Sequence, residues 1–316
     1  MAVNTKAIKR RIKSVGSTRK ITKAMEMVAA AKMRKAVSAA LDTRTYATLA
    51  WDLLVHLSQG EKALIPLLEA RQVKKVLVIM ITSNRGLCGS FNSNIIRKTS
   101  EQLKDPKNIS KQRVKGKEIA PSEKIEVDVI GIGKKGADFA KKMGYNLIAS
   151  FTNLSDTPNL NDALPISRMV IGDYENKVYD KVIVAYTDFK STIAQVAKLR
   201  QVLPISEIDL EKMIGDVAQL NHREAPTKVE LEDYLFEPNK LDVLKIILPR
   251  LVEMQIYQAM LESSASEHSS RMVVMRSASD AAEDMIKELN LNFNKARQAG
   301  ITQEIAEISG GAAALE

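Results

Sequence analysis

The chain has 316 residues, 27% charged and 4% aromatic, with a formal net charge of +9, and this length allows one large domain or two small ones. A single cysteine, Cys88, excludes an intramolecular disulfide, and three widely separated histidines argue against a zinc site. The longest apolar run, about Val76 to Ile81, is too short to cross a bilayer.

The positive charge is concentrated at the N-terminus. Residues 1–35 hold eleven lysines and arginines against one acidic residue, Glu26, whereas the rest of the chain is nearly balanced. A basic helix of this kind attracts nucleic acid, an anionic lipid surface or an acidic protein, although it is also typical of a solvated helix face. The segment has no secretory signal core, but its basic, acid-poor composition leaves a mitochondrial transit peptide open.

The first predicted element is a long helix. From Ser17 to Gln59 there is no glycine or proline, and helix-forming residues predominate. The apolar spacing breaks between Val15 and Ile21, which predicts a stutter near Gly16. The predicted stripe consists of Ile8, Ile12, Val15, Ile21, Met25, Val28 and Ala31 or Lys32.

The middle of the chain, about 73–215, alternates strand and helix patterns. Three buried-strand candidates are VKKVLVIMIT, EKIEVDVIGI and DKVIVAYTDF. Helices are predicted after the first two strands, near 92–104 and at KKGADFAKKMG. After the third strand, the alternation predicts a helix at STIAQVAKLRQVL. This alternation predicts a Rossmann-like sheet of parallel strands. The polar, basic segment 105–124 is predicted to be a mobile loop.

A second long helix is predicted at the C-terminal end, where Arg250 to Ala299 contains no glycine or proline. Steps of three and four from Leu251 meet apolar residues at eleven of fifteen positions, the pattern of a coiled coil. Since a domain separates the two helices, we expect an antiparallel pair within one chain, with a homodimeric zipper as the alternative. His268 lies on this seam and is predicted to be a core residue.

Two glycine-rich turns raise the possibility of a nucleotide site. SNRGLCGSFN follows the first strand, and GIGKKG at 131–136 matches G-x-G-x-x-G, with Asp156 twenty residues further on. However, the helix after GIGKKG is short, Asp156 lies in the loop-like stretch FTNLSDTPNLND, and the phosphate loop G-x-x-x-x-G-K-[ST] is absent. We therefore expect no catalytic, cofactor-binding or metal-binding residues. A basic-zipper DNA-binding protein is disfavoured because the heptads are far from the basic segment.

Three separated stretches carry a family resemblance: IKRRIKSVGSTRKITKAMEMVAAAKMRKA (8–36), ITSNRGLCGSFNSN (81–94) and the run from Arg271 to Leu315. The chain resembles the gamma subunits of F-type ATP synthases. The resemblance implies an α/β fold with a long antiparallel coiled coil of N- and C-terminal helices plus a Rossmann-like α/β foot domain. The implied boundaries are 1–70 for the N-terminal helix, 71–220 for the foot and 221–316 for the C-terminal helix.

The resemblance also implies a function. Such a chain is the non-catalytic central-stalk rotor, which couples ion-driven rotation of the membrane c-ring to ATP synthesis or hydrolysis at alpha/beta catalytic sites. It would regulate ATPase activity and ion flow and be required for assembly. The implied partners are the alpha and beta subunits of the catalytic hexamer, the epsilon subunit and the membrane c-ring, with one copy of this chain per hetero-oligomeric complex, no nucleic acid and no cofactor. The implied location is peripheral, on the cytoplasmic side of a bacterial inner membrane or, alternatively, at the mitochondrial inner membrane.

Eight residues match the family's partner-binding positions. Arg297, Gln298, Thr302 and Glu304 match C-terminal positions that meet mobile loops of the catalytic ring. Met25 and Arg271 match positions where both helices meet a beta loop, and Lys20 and Lys23 belong to a basic segment that would face acidic beta loops. The terminal run ITQEIAEISGGAAALE is expected to enter a tight sleeve.

Three features depart from the family. Asn84 replaces a common aspartate in the glycine-rich turn, segment 105–124 is longer and more basic than in many bacterial members, and a lone Cys88 excludes the two-cysteine switch of chloroplast forms.

Overall fold

The computed structural model describes residues 5–43, 65–112, 122, 124–206, 237 and 239–313. The helices are α1 (Thr5–Asp42), α2 (Phe91–Leu103), α3 (Pro106–Ser110), α4 (Lys134–Lys142), α5 (Leu160–Glu175) and α6 (Lys240–Ala313), with a 3₁₀ turn at Pro66–Leu68. The strands are β1 (Lys75–Ile81), β2 (Glu126–Ile132), β3 (Asn146–Phe151), β4 (Lys181–Phe189) and β5 (Gln195–Leu203). The chain divides into two compact units, one of residues up to Ala29 and from Arg271 onward, the other of Ala30–Ser270.

The second unit contains a five-stranded sheet in the order β3-β2-β1-β4-β5. The pairs β1–β2, β1–β4 and β2–β3 are parallel. The central strand β1 is buried on both faces beyond its first residue, because helices cover both sides, and this explains its continuous apolar sequence. The predicted mixed α/β fold with a mainly parallel sheet is confirmed.

The helix predicted for STIAQVAKLRQVL is wrong. Residues Gln195–Leu203 form β5, which pairs antiparallel with β4. A tight turn makes this reversal, since the amides of Lys190 and Ser191 both donate to the carbonyl of Ala194. A hairpin of this kind needs no crossover helix.

Two further elements were not predicted from the sequence. Strand β3 lies at the sheet edge, and α5 begins at Leu160, inside the stretch interpreted as a loop. A capping box starts α5, in which Asn159 and Asp162 each accept from the other's backbone amide. Pro165 lies inside this helix and obscured its pattern.

The two faces of the sheet have different covers. Helices α2, α3 and α4 pack on one face around a cluster that includes Val78, Met80, Ile95, Ile109 and Ala140. On the other face α5 and the first part of α6 form the larger cluster, which includes Ile79, Ile130, Val170, Leu248 and Ile256.

The prediction that 105–124 is a mobile loop is wrong for its first part. Asp105 caps the short helix α3 by accepting from the amides of Lys107 and Asn108. Ile109 is 4% exposed in the core, and the buried Lys181 Nζ donates to the carbonyls of Ile109 and Lys111 at 2.9 and 2.6 Å. Residues 113–121 and 123 lie outside the described part of the chain.

Helix α1 follows a heptad that the sequence did not reveal. Its protected positions recur at a spacing of seven at Val15, Thr22, Ala29 and Ala36. The predicted seam residues Ile21 and Val28 are instead 61% and 54% exposed, and the helix runs through Gly16, so the predicted stutter is wrong. Small or polar residues occupy the seam of α1 because they permit close approach of the two helices. A prediction based on hydrophobicity therefore misses this seam. Residues 44–59 of the predicted helix lie outside the described part.

The predicted seam of α6 is confirmed by burial. Leu251, Leu261, Ala265 and Met275 are at most 3% exposed, and His268, also 3% exposed, is a core residue as expected. Between Asp280 and residue 311, the buried or half-buried positions are all predicted seam residues: Ala282, Ile286, Leu289, Phe293 and Ala296. The helix is longer than predicted and contains Pro249 and Gly300 in its interior.

Contacts between α1 and α6 show that the pairing is antiparallel. In the first unit Arg19 Nη1 lies 3.0 Å from Glu283 Oε2, and the Thr22 and Ser279 hydroxyls are 2.7 Å apart. In the second unit the Thr43 hydroxyl donates to Gln258 Oε1 at 2.6 Å. Residue numbers fall along α6 as they rise along α1, which is the expected coiled coil within one chain.

Candidate partner-binding surfaces

All eight candidate partner-binding residues lie in the first compact unit. Lys20, Lys23 and Met25 belong to α1, and the other five belong to α6. They form two groups, one where the helices are paired and one near the C-terminal end of α6.

The first group lies on the paired part of the coiled coil. Lys20 is exposed, Met25 is half-buried, and Lys23 Nζ lies 2.9 Å from Glu26 Oε2 on the same helix. This ion pair is exposed on the lysine side and stabilises the helix by only a few tenths of a kcal/mol. Lys23 can therefore exchange Glu26 for a carboxylate of a partner at little cost.

Met25 and Arg271 lie near each other along the coiled coil. Extending the register of the Thr22–Ser279 contact places Met25 opposite Arg276, so Arg271 is about 8 Å further along the axis. Arg271 is half-buried. Both residues therefore lie in the same paired part of the coiled coil, and their role in partner binding stays a prediction.

The second group lies on the part of α6 that extends past the described residues of α1. The same register places Thr5, the first described residue of α1, opposite the region of Ala296. From Arg297 to residue 311 every described residue is exposed. The tip, 297–313, is a single helix about 25 Å long beyond the described part of α1.

The candidate residues of the tip share one side of the helix with a row of isoleucines. At about 100° per residue, Arg297, Gln298, Thr302 and Glu304 fall within an arc of about 160°. Ile301, Ile305 and Ile308 lie in the same arc and are 47%, 61% and 73% exposed. The isoleucine row was not predicted from the sequence, although its spacing i, i+4, i+7 could have revealed it.

A second apolar row lies on the outward side of α1. Ile21 and Val28 are one heptad apart and are both more than half exposed, with Ala24 between them. Lys20 adjoins this row. An exposed apolar row with cations beside it is typical of a surface that a partner covers.

The glycine-rich turns of the sheet do not form a phosphate cradle. The first amides of α4 are already bonded: Lys134 N donates to Asn84 Oδ1 at 3.0 Å and Gly136 N to Thr82 Oγ1 at 2.8 Å. Gly133 has φ +90°, and a Cβ there would lie 2.1 Å from the Thr82 carbonyl oxygen. The end of β1 therefore occupies the place where a dinucleotide's phosphates would bind.

The turn SNRGLCGSFN is held together internally. Asn92 bonds the Ser83 amide at 3.0 Å and the Ser83 hydroxyl at 2.7 Å, and the thiol of Cys88, which is 2% exposed, packs beside them. Gly89 and Leu87 adopt left-handed conformations, with φ 55° and 63°. Asn84 caps α4, because its side-chain Oδ1 accepts from the amide of Lys134. The side chain at position 84 therefore acts as a hydrogen-bond acceptor, a role that requires no charge.

None of the described helices combines the length and the apolar composition that a membrane-spanning segment requires.

Comparisons with known proteins agree with this structure. A sequence model of the ATP synthase family matches residues 4–315. ATP synthase gamma chains from Dehalococcoides mccartyi (strain CBDB1) and Legionella pneumophila (strain Corby) are 41% and 38% identical over 315 and 311 residues. These alignments cover 99% and 98% of this chain and 99% of each relative.

Two solved structures have similar folds. The central stalk and c-ring structure of Tetrahymena thermophila mitochondrial ATP synthase matches with a TM-score of 0.56 and 25% identity, over 82% of this chain and 99% of that one. The OSCP/F1/c-ring structure of Euglena gracilis mitochondrial ATP synthase matches with a TM-score of 0.59 and 19% identity, over 98% and 94%. The chain therefore belongs to the gamma-chain family of F-type ATP synthases, the family of the central-stalk subunit.

Proposed function

We propose that this chain is a rotor that couples ion-driven rotation of a membrane c-ring to ATP synthesis or hydrolysis at the catalytic sites of alpha and beta subunits. The observation that carries the proposal is the tip of α6. Among the described residues no second helix accompanies it, three of its isoleucines are exposed, and isolated helices of this length are marginal in water. Such a helix is stabilised when a partner encloses it.

The proposed partners are the alpha and beta subunits, which would surround the paired helices, and epsilon and the c-ring, which would contact the sheet-containing unit. Each complex would hold one copy of the chain. The relatives support this setting, since they are ATP synthase gamma chains and the Tetrahymena thermophila structure includes a c-ring. We infer further that the chain is needed for assembly and that it regulates ATPase activity and ion flow. The proposed location is peripheral, on the cytoplasmic side of a bacterial inner membrane or at the mitochondrial inner membrane.

Chemistry is proposed to take place in the partners. The glycine-rich turns of this chain are filled by their own side chains, which supports a non-catalytic role. The chain would act mechanically: its two helices present different sides to each beta subunit as it turns. The division of the chain into parts 1–70, 71–220 and 221–316 remains a prediction.

Candidate residues of the tip are proposed to form contacts that break and re-form during rotation. Arg297 and Glu304 share a side of the helix, and both are exposed. Charged and hydrogen-bonding side chains suit such contacts because their bonds to a partner replace bonds to water with a small net change.

The test of the proposal is co-expression of this chain with alpha and beta subunits. We expect a stable complex with MgATPase activity, and we expect the isolated chain to bind neither ATP nor NAD. Tight nucleotide binding by the isolated chain, or recovery of alpha and beta subunits without it, would contradict the proposal.

A sharper test compares two double variants of the tip. Arg297→Ala with Gln298→Ala should leave assembly intact and lower coupled ATP synthesis at least about tenfold, as expected when about 1.4 kcal/mol of contacts is lost. Lys295→Ala with Gln303→Ala changes a similar pair of exposed residues on the same helix and should retain synthesis. Equal rates in both variants would remove the proposed role of Arg297 and Gln298.

A further inference from the structure

One face of the sheet-containing unit carries a concentrated positive charge. Helix α2 contacts α3 and α4, and all three cover the same side of the sheet. Their outward positions, with the residues that follow α2 and α3, form what we call the basic face. Its nine exposed cations are Arg97, Lys98, Lys104, Lys107, Lys111, Lys134, Lys135, Lys141 and Lys142.

The acidic residues among them are few. Glu101, Asp105 and Asp138 are the exposed carboxylates of the three helices and of the residues between α2 and α3. Asp105 is already engaged as the cap of α3. The basic face therefore carries nine positive charges against three negative ones.

Some lysines of the described chain are neutralised by ion pairs. Lys23 pairs with Glu26, and Lys245 pairs with Asp242, each at 2.9 Å. Among the described residues, by contrast, no carboxylate lies within ion-pair distance of any cation of the basic face. Cations without neutralising partners sum to a positive potential that extends into solvent.

The charge is confined to one side of the sheet. On the other side α5 carries Arg168 against three acidic residues, Asp162, Asp173 and Glu175. Outside the N-terminal segment, positive and negative charges are nearly equal in number, but they are distributed unequally between the helices on the two faces of the sheet. This segregation is not visible in the sequence, because the cations come from three separate segments.

The chemistry of the basic face fits a diffuse layer of negative charge. Eight of its nine cations are lysines, which act as point charges and lack the forked geometry with which arginine recognises single phosphates or carboxylates. The aromatic rings of this region, Phe139 and Tyr145, are half-buried against each other at 6.2 Å. They do not offer flat exposed surfaces for base stacking, which disfavours single-stranded nucleic acid.

Apolar side chains adjoin the cations at one end. Met143 follows Lys141 and Lys142 and is 51% exposed, and Ile148 on the neighbouring edge strand is 40% exposed. Exposed apolar groups beside lysines match the boundary between lipid headgroups and acyl chains. We propose that the basic face binds the headgroups of anionic phospholipids. This inference is independent of the rotor function.

The test uses the purified full-length chain and phosphatidylcholine vesicles with or without phosphatidylglycerol, separated by flotation. The first variant replaces Lys134, Lys135, Lys141 and Lys142 by Gln. The control replaces Lys6, Lys9, Arg10 and Lys13 by Gln, which removes the same charge from exposed positions of α1. Far-UV circular dichroism checks that both variants keep their helices.

We expect the wild-type chain to bind only the anionic vesicles and to be released by salt. A lysine near an anionic surface contributes about fivefold, so the first variant should bind at least about a hundredfold more weakly. The α1 control should bind within about tenfold of wild type.

Three results would overturn the proposal. The first is wild-type binding to neutral vesicles that equals its binding to anionic vesicles. The second is loss of binding in the α1 control while the basic-face variant still binds. The third is saturation by poly-glutamate together with no vesicle binding, which would identify an acidic polypeptide as the partner.

Discussion

The clearest stability prediction concerns Gly133→Ala, in the turn between β2 and α4. Gly133 has φ +90° and ψ 148°, a region that is essentially restricted to glycine. Alanine held there would cost about 1–3 kcal/mol of backbone strain. Its Cβ would also lie 2.1 Å from the Thr82 carbonyl oxygen, so the end of β1 or the start of α4 must move.

That movement has its own cost. Inserting a methyl group into a filled site typically costs about 1–3 kcal/mol. It would also stretch the 2.9 Å bond from the Gly133 amide to the Phe151 carbonyl. The sum predicts a loss of about 2–6 kcal/mol in the free energy of unfolding.

The matched control is Gly144→Ala. Gly144 also has a positive φ, +76°, but a Cβ there would have nothing within 4 Å. It should cost only the left-handed conformation, about 1–2 kcal/mol. The assay is urea unfolding followed by far-UV circular dichroism, with hydrogen exchange of peptides from the sheet. If Gly133→Ala costs no more than Gly144→Ala, the close contact with Thr82 is not a determinant of stability.

Three further predictions follow from the helices and the sheet. Ala36 is 1% exposed on the seam, so Ala36→Leu should destabilise the chain by about 1–3 kcal/mol, whereas the exposed Ala31→Leu should change it by at most about 0.5 kcal/mol; equal urea midpoints would contradict the observed seam. Gly16→Ala should stabilise α1 by about 1 kcal/mol in thermal unfolding, and destabilisation would show that the helix is interrupted there. The Lys32 ammonium, bonded to Asp156, holds the pKa of that carboxyl below its ordinary 3.8. The pair therefore stabilises the fold above about pH 4, and this contribution is lost as the pH falls through the lowered pKa of Asp156. Lys32→Met should cost at most about 1 kcal/mol at pH 7 and less near pH 2; an equal cost at both values would refute this linkage.

The sequence predicted the C-terminal helix well because its seam is built from large apolar residues. Leu251, Leu261 and Met275 recur at heptad spacing, and burial follows the same spacing. The central parallel strands were predicted for the same reason, since a strand buried on both faces must be continuously apolar.

The N-terminal seam could not be read in this way. Ala29 and Ala36 give the partner helix close access while contributing little hydrophobicity, and Thr22 contributes a hydrogen bond. The more hydrophobic Ile21 and Val28 point outward. A prediction based on hydrophobicity therefore assigned exposed residues of α1 to its seam.

The hairpin of β4 and β5 depended on long-range contacts that the sequence does not display. Serines of α6 bind its backbone: the Ser266 hydroxyl donates to the Thr187 carbonyl at 3.2 Å and the Ser269 hydroxyl to the Thr192 carbonyl at 2.8 Å. These serines come from a segment some 75 residues away in the chain. The local pattern of 191–203 gave no sign of them.

The candidate residues of the tip came from family resemblance, and the structure adds a physical reason to consider them. Alone, Arg297 and Thr302 are ordinary exposed helix residues. Their position beside exposed isoleucines, on a helix segment past the described part of α1, became clear only when the register of α1 and α6 was known.

The central proposal, that the chain rotates inside a ring of alpha and beta subunits, is tested most directly by watching it turn. Asn161, exposed on α5, would be replaced by cysteine to carry a bead, while the buried Cys88 stays unlabelled. With the ring fixed to a surface, we predict that MgATP turns the bead in one direction, with equal steps for the successive beta sites. A full rate of ATP hydrolysis with a stationary or randomly moving bead would contradict the proposal.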